Sequence, residues 1–500
     1  MRVVHLLRNS VFIRLLVTVG AMLTVAIFAP WNGVSGAGLR WLDTGGWPAE
    51  AVTMDKSERL YATGVGGASG GGVVFQLTPD ATKTRWTPKV LYNFPRCSSK
   101  WQISYDPTYD PQGFARGRGV AVRSPTSCAD GDGPRPELVM GSSRRIYGTT
   151  LGGGAAESGV IFELTPDVTR TKWTEKVLHS FDRALTGASK ASVMLGASGQ
   201  LYATESGALS AMRVGYPPNG AAGMGRVIEL SPNATKTTWT EKILYNFCSR
   251  PSCADGATPL AALIADASGS LYGTTLGGGG HGGGTVFKLT PDPSKTKWTH
   301  TVLHSFCPSQ NLLANVPNCP DGSGPAAPLV MSAGKLYGTT QGGGAAGKGT
   351  VFELIPNAAT GTWTKNLLYS FCAQAGCRDG SGPDVFIVMD AAGDLHGTTG
   401  YGGTADGGTV FKLTHNQATD TWSEAVLYSF CYRSQCGGTY QIGINPLEPP
   451  IMDPSGNVYG GTRNGGGGSP NSRGVWMIET QSQTRRSISP RAPAARGSSS

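Results

Sequence analysis

The ten cysteines are the most regularly placed reactive groups in this 500-residue chain, and they come two to a segment. The pairs are Cys97 and Cys128, Cys248 and Cys253, Cys307 and Cys319, Cys372 and Cys377, and Cys431 and Cys436. Paired thiols in equivalent segments suit local disulfides formed in an oxidising compartment. Structural zinc needs four ligands at one point, and no pair here has a second pair close by in sequence. A second chemistry is offered by Glu50, Glu137, Asp384 and Glu448, which stand 10 to 12 residues before a recurring Tyr or His. Carboxylates converging from several repeats could hold a hard cation such as calcium, while the plainer reading is that they are solvated charges at strand starts. Histidine offers less. His179, His304, His396 and His415 each replace a residue of a repeated motif, and His281 lies alone in a Gly run, so no Ser-His-acid or Cys-His grouping is visible.

Recognition chemistry is richer. The insertion from Pro95 to Pro134 carries Trp101, Tyr105, Tyr109, Phe114, Arg116, Arg118 and Arg123, and a second insertion from Glu205 to Gly225 adds Met212, Arg213 and Tyr216. Aromatic and Arg side chains are the usual anchors of binding surfaces. The competing reading is that they pack the long loops onto the body.

These groups are positioned by a repeat. A Trp precedes a Phe by eight residues six times, at Trp86, Trp173, Trp239, Trp298, Trp363 and Trp422, each eleven residues after an apolar residue of a GTVFKLTP-like run. Upstream lies a LYGTT-like signature centred on Tyr61, Tyr147, Tyr202, Tyr272, Tyr337 and His396, with a seventh copy at Tyr459. The run WTHTVLHSF alternates with period two, and the turns between runs are rich in Pro, Asp, Ser and Gly. Each copy therefore reads as a four-stranded antiparallel meander. We label its strands a (LAALIAD), b (LYGTT), c (TVFKL) and d (WTxxVLYSF).

Copies recur 55 to 86 residues apart, too far for one coil of a β-helix, and helical periodicity is missing. The sequence thus predicts an all-β chain, a seven-bladed β-propeller. The seventh copy stops without a d strand, and the segment Gly38 to Asp43 (GLRWLD) is predicted to close it from the N-terminus.

Residues 1–36 combine basic residues, an apolar stretch from Leu15 to Ala29 and small residues, the pattern of a secretory signal peptide, with a retained anchor as the minority reading. Residues 37–479 form the propeller, and 480–500 read as a disordered polar tail without a visible anchor. Of the formal charge of +9, Arg residues in the leader and tail supply seven, so the body is nearly neutral. That argues against nucleic acid as partner.

The motifs LYGTT, GGG, GTVFKLTP, WTEKVLYSF and DGxxP recur in fixed order from about Asp55 to Glu479. In this the chain resembles the choice-of-anchor tandem repeat GloVer-containing proteins, a bacterial secreted or surface family. The resemblance implies export and brings no established activity.

Length variation is confined to the b-to-c and d-to-a connections, which share one face of a meander, and function usually resides on variable loops. The reading that follows is a monomeric, non-catalytic secreted or cell-surface module. It would bind a glycan, protein or other extracellular ligand through Trp101, Tyr105, Arg116, Arg118, Arg213 and Tyr216. The alternative is a propeller-type extracellular enzyme, a metal-dependent lactonase or glycan lyase or hydrolase, using the four carboxylates.

Overall fold

A computed structural model describes residues 39–44, 49–97, 100–104, 120–124, 128–181, 192–207, 223–307, 319–383, 386–431, 445–446, 450–462 and 474–479. The signal-peptide and tail assignments lie outside these residues. The described chain forms seven antiparallel four-stranded blades. Blade four is representative: strand a is Ile264–Ala265, b is Leu271–Thr275, c is Thr285–Pro291 and d is Trp298–Ser305.

Small residues on strand b make room for large ones on strand c. A Cβ on Gly273 would lie 2.6 Å from the Phe287 ring directly opposite it. Blades one to six also shift register between c and d just before this position, Val286/Phe287 in blade four, a bulge that increases local twist.

Strand a is shorter than the seven-residue apolar run led us to expect. The reason is that its leading carbonyls serve the neighbouring blade: the Thr204 hydroxyl donates to Ala261 O (3.0 Å), Thr274 to Ala327 O (3.1 Å) and Thr398 to Pro446 O (2.7 Å). The first Thr of LYGTT is thus a clamp between blades.

Among the described residues seven core clusters are each shared by two adjacent blades, and an eighth, smaller one joins Met224, Cys248, Cys253 and Ala257. Tyr202, Val227, Leu244 and Phe247 of blade three, for example, pack on Leu263, Leu271, Phe287 and Leu289 of blade four. The repeated Trp stands edge-on to the strand-b Tyr of the preceding blade, as Trp298 does to Tyr202 at 6.1 Å. The same contact joins blade one to blade seven, Trp86 to Tyr459 at 5.9 Å.

Closure occurs as the sequence predicts. Leu39–Leu42 pairs antiparallel with Gly474–Ile478, Leu39 opposite Ile478 and Leu42 opposite Val475, so the first strand completes the last blade.

On the face of the a-to-b and c-to-d turns, Asp266 accepts the Tyr272 hydroxyl at 2.9 Å. Asp55 with Tyr61, Asp453 with Tyr459 and Asp390 with His396 repeat this at 3.0 Å. Where the turn lacks Asp, as in blade five, strand c supplies the acid, and Tyr337 donates to Glu353 at 2.9 Å.

Candidate functional site

The opposite face carries the d-to-a and b-to-c connections, and a repeated loop unit builds it. In the connection from blade three to blade four, Cys248 and Cys253 form a disulfide with Cα atoms 4.0 Å apart, around a short 3-10 turn at Pro251–Cys253. Asp255 is fully buried behind it and accepts from the Tyr245 hydroxyl (2.7 Å), Ser249 N (2.9 Å) and Ser249 Oγ (2.7 Å). Asp379 repeats the arrangement with Tyr369 Oη (2.9 Å) and Ala373 N (2.8 Å). Asp130 with Tyr92 and Asp321 with His304 do the same, so the Asp of the DG pair in these connections reaches back to strand d.

In blades two, four, five and six the Gly-rich b-to-c run docks on the same unit. Gly154 N donates to Cys128 O, Gly279 N to Cys253 O, Gly344 N to Cys319 O and Gly403 N to Cys377 O, at 2.8 to 2.9 Å. The Gly just before strand c faces a Pro of the next connection, the Pro of DGxxP at Pro325 and Pro383 and the Pro of IGINP at Pro446. A Cβ would lie 2.6 Å from Pro325 at Gly284, 2.3 Å from Pro383 at Gly349 and 2.7 Å from Pro446 at Gly408. Disulfide, DG, GGG and DGxxP are thus parts of one rigid loop layer.

Four of the expected disulfides are present, Cys97–Cys128, Cys248–Cys253, Cys307–Cys319 and Cys372–Cys377. Cys431 is also disulfide-bonded, and Cys436 lies outside the described residues.

The first insertion contains a two-stranded ribbon, Lys100–Ser104 with Val120–Ser124, in which Trp101 pairs with Arg123 along the backbone. Tyr105, Arg116, Arg118, Arg213 and Tyr216 lie outside the described residues. Of the four carboxylates, Glu50 belongs to strand Ala49–Met54, and Asp384 and Glu448 lie outside the described residues. The Glu137 carboxylate accepts the Ser192 hydroxyl of blade three, so this acid is engaged between blades. No group of three or more His, Cys, Asp or Glu placed to hold a metal occurs among the described residues.

Sequence reasoning missed a set of stations at the blade junctions, two residues after the repeated Trp. His300 stacks on Tyr245 of the preceding blade at 4.2 Å, and burial pushes its pKa down to about 4. Lys365 holds its ammonium 5.8 Å from the Phe306 ring and is lowered to about 8 by burial. Glu175 and Glu424 are pushed up to about 8, by burial first and then by Asp130 and Asp379 respectively. The available signal was that this position changes type from blade to blade (Pro88, Glu175, Glu241, His300, Lys365, Glu424) while the Trp two residues before it and the apolar residue two after it repeat.

Among solved structures, the extracellular domain of BT4673, assigned to a hybrid two component system of B. thetaiotaomicron, aligns at 11% identity and TM-score 0.41. That alignment covers 88% of this chain and 39% of that one. The NanB sialidase of Streptococcus pneumoniae aligns at 10% identity and TM-score 0.41, covering 89% and 93%. A Trichoderma reesei enzyme of Carbohydrate-Active Enzymes Family AA12 aligns at 9% and 0.40, covering 89% and 96%. These are likenesses of fold alone. Among curated proteins no sequence match is found. The model of the Gloeobacter/Verrucomicrobia repeat matches residues 216–477, where the LYGTT, GGG and DGxxP motifs build the loop layer just described. The chain belongs to the Gloeobacter/Verrucomicrobia repeat family.

Proposed function

We propose that this protein is a secreted or cell-surface β-propeller that binds an extracellular glycan or protein ligand, without catalysis, through the face of its d-to-a and b-to-c connections. One observation carries the reading. The described disulfides and the inserted ribbon all belong to that face, whereas the other is built from turns of nearly constant length. A rigid layer with elaborated loops is how scaffolds present recognition surfaces. Disulfides in four connections support export, since such bonds persist in oxidising compartments.

The test is a glycan and extracellular-protein binding screen on the chain from residue 37 onward, with bound metal measured on the same sample. A ligand retained by that chain and lost when residues 98–126 are trimmed supports the reading. Turnover of a lactone or glycan in place of simple retention would favour the enzymatic alternative.

A further inference from the structure

The turns of the uniform face are alike in length and unlike in charge. In blades one to four the c-to-d turns carry Lys83, Arg85, Arg170, Lys172, Lys236, Lys295 and Lys297, and apart from Lys83, which pairs with Glu58 and Asp453, none of them is in an ion pair among the described residues. The acids of these turns are occupied locally. Asp80 accepts from Thr82 Oγ1 (3.0 Å) and Thr84 N (2.9 Å), and Asp167 from Thr169 Oγ1 (2.9 Å) and Thr171 N (2.9 Å). Asp292 accepts from Ser294 Oγ (2.9 Å) and Thr296 N (2.7 Å). The corresponding turn of blade five has no charge between Asn357 and Thr362, and that of blade six holds Asp420 against His415 at 2.9 Å.

The four basic turns stand side by side. Lys89 of blade one donates to Arg170 O of blade two (2.8 Å), and Lys176 of blade two to Thr237 O of blade three (2.7 Å). Lys242 of blade three donates to Lys295 O of blade four. A second observation separates this row from an ordinary solvated edge. Arg170, Lys236 and Lys295, each three residues before the repeated Trp, sit at φ of 55 to 59°, a left-handed conformation that favours glycine, and blade five puts its left-handed residue one position later, at Gly361 (φ 71°). Long cations are kept where glycine would be less strained.

We propose that the c-to-d turns of blades one to four form a track for a linear polyanion, a carboxylated or sulfated polysaccharide. A curved row of cations in one sector fits a linear polymer. A flat anionic membrane would also press on the uncharged and acidic turns of blades five and six. Single-stranded nucleic acid is commonly held by aromatic platforms interleaved with the cations, and the residues from Asp80 to Arg85, Asp167 to Lys172, Asn233 to Thr238 and Asp292 to Lys297 include no aromatic. This surface is distinct from the elaborated face and does not depend on it.

The test uses the chain from residue 37 onward with heparin and polygalacturonate, and with double-stranded DNA and phosphatidylserine vesicles as comparators. We expect polysaccharide binding that weakens with salt. In the fourfold variant Arg170→Gln, Lys172→Gln, Lys295→Gln and Lys297→Gln, the dissociation constant should rise at least roughly tenfold and the slope of log K against log salt should fall by about three to four. Arg170→Gly with Lys295→Gly should weaken binding while holding or raising the melting temperature, which excludes loss by unfolding. Trimming residues 98–126 should leave this binding intact. Unchanged affinity and salt slope in the fourfold variant, no polysaccharide binding by the parent, or tighter binding to DNA or vesicles would each overturn the proposal.

Discussion

Glu424 brings both carboxylate oxygens into the junction of blades five and six without a hydrogen-bond partner, close to Asp379, which already accepts the Tyr369 hydroxyl. A charge there is costly, and the proton is retained to about pH 8. An unfolded glutamate ionises near its ordinary value of about 4.3. Between those two values the folded chain holds a proton that the unfolded chain releases. Stability is therefore undiminished below about pH 4.3, declines as pH rises, and levels off above about 8. Glu424→Gln removes this dependence. The variant should match the parent at pH 4 and exceed it by roughly 1–2 kcal/mol at pH 8.5 after allowance for solvent screening. Urea unfolding at the two pH values checks this, and parallel pH profiles for parent and variant would refute it.

At the scale of elements, the loop layer depends on close approach between one blade's Gly and the next blade's Pro. Gly284 has φ +92°, and a Cβ there would lie 2.4 Å from Thr275 O and 2.6 Å from Pro325. Gly269, in the a-to-b turn of the same blade, has φ +84° and nothing within 4 Å of an added Cβ. Gly269→Ala should cost about 1 kcal/mol of backbone strain, and Gly284→Ala at least about 1–2 kcal/mol more because the blades must part. Thermal unfolding of the two variants isolates the inter-blade contribution, which equal losses would remove. The same layer predicts five disulfides with Cys431 joined to Cys436. Peptide mapping without reduction should recover each within its own connection, and cross-blade pairs would contradict it.

For the whole molecule, the first strand holds the ring shut. Leu42 shares a cluster with Val52, Leu60 and Phe75 of blade one and with Tyr459 and Val475 of blade seven. Deleting Gly38 to Asp43 exposes the edge of Gly474–Ile478 and should lower the melting midpoint of the entire propeller by roughly 5 °C or more, because closure couples first and last blades. A single unchanged transition would mean that the ring is stable open. In contrast, trimming residues 98–126 removes an appendage and should leave the midpoint nearly unchanged.

Repeat number, strand order, closure and cysteine pairing were legible in the sequence because each follows from a local pattern copied along the chain. Tyr272 and its six counterparts mark the blades, and the truncated seventh copy names its own missing strand. Copies differ at single positions for reasons the sequence does not display. Glu175, His300, Lys365 and Glu424 occupy one place in the motif, yet their electrostatics depend on Asp130, Asp255, Asp321 and Asp379 brought to them across a blade junction. The same limit applied to Glu137, whose Ser192 partner comes from another blade, and to Arg170, Lys236 and Lys295, scattered in sequence and laced into one row by lysines of neighbouring blades. A local period fixes what each blade is. Which residues meet between blades is decided only when the ring closes.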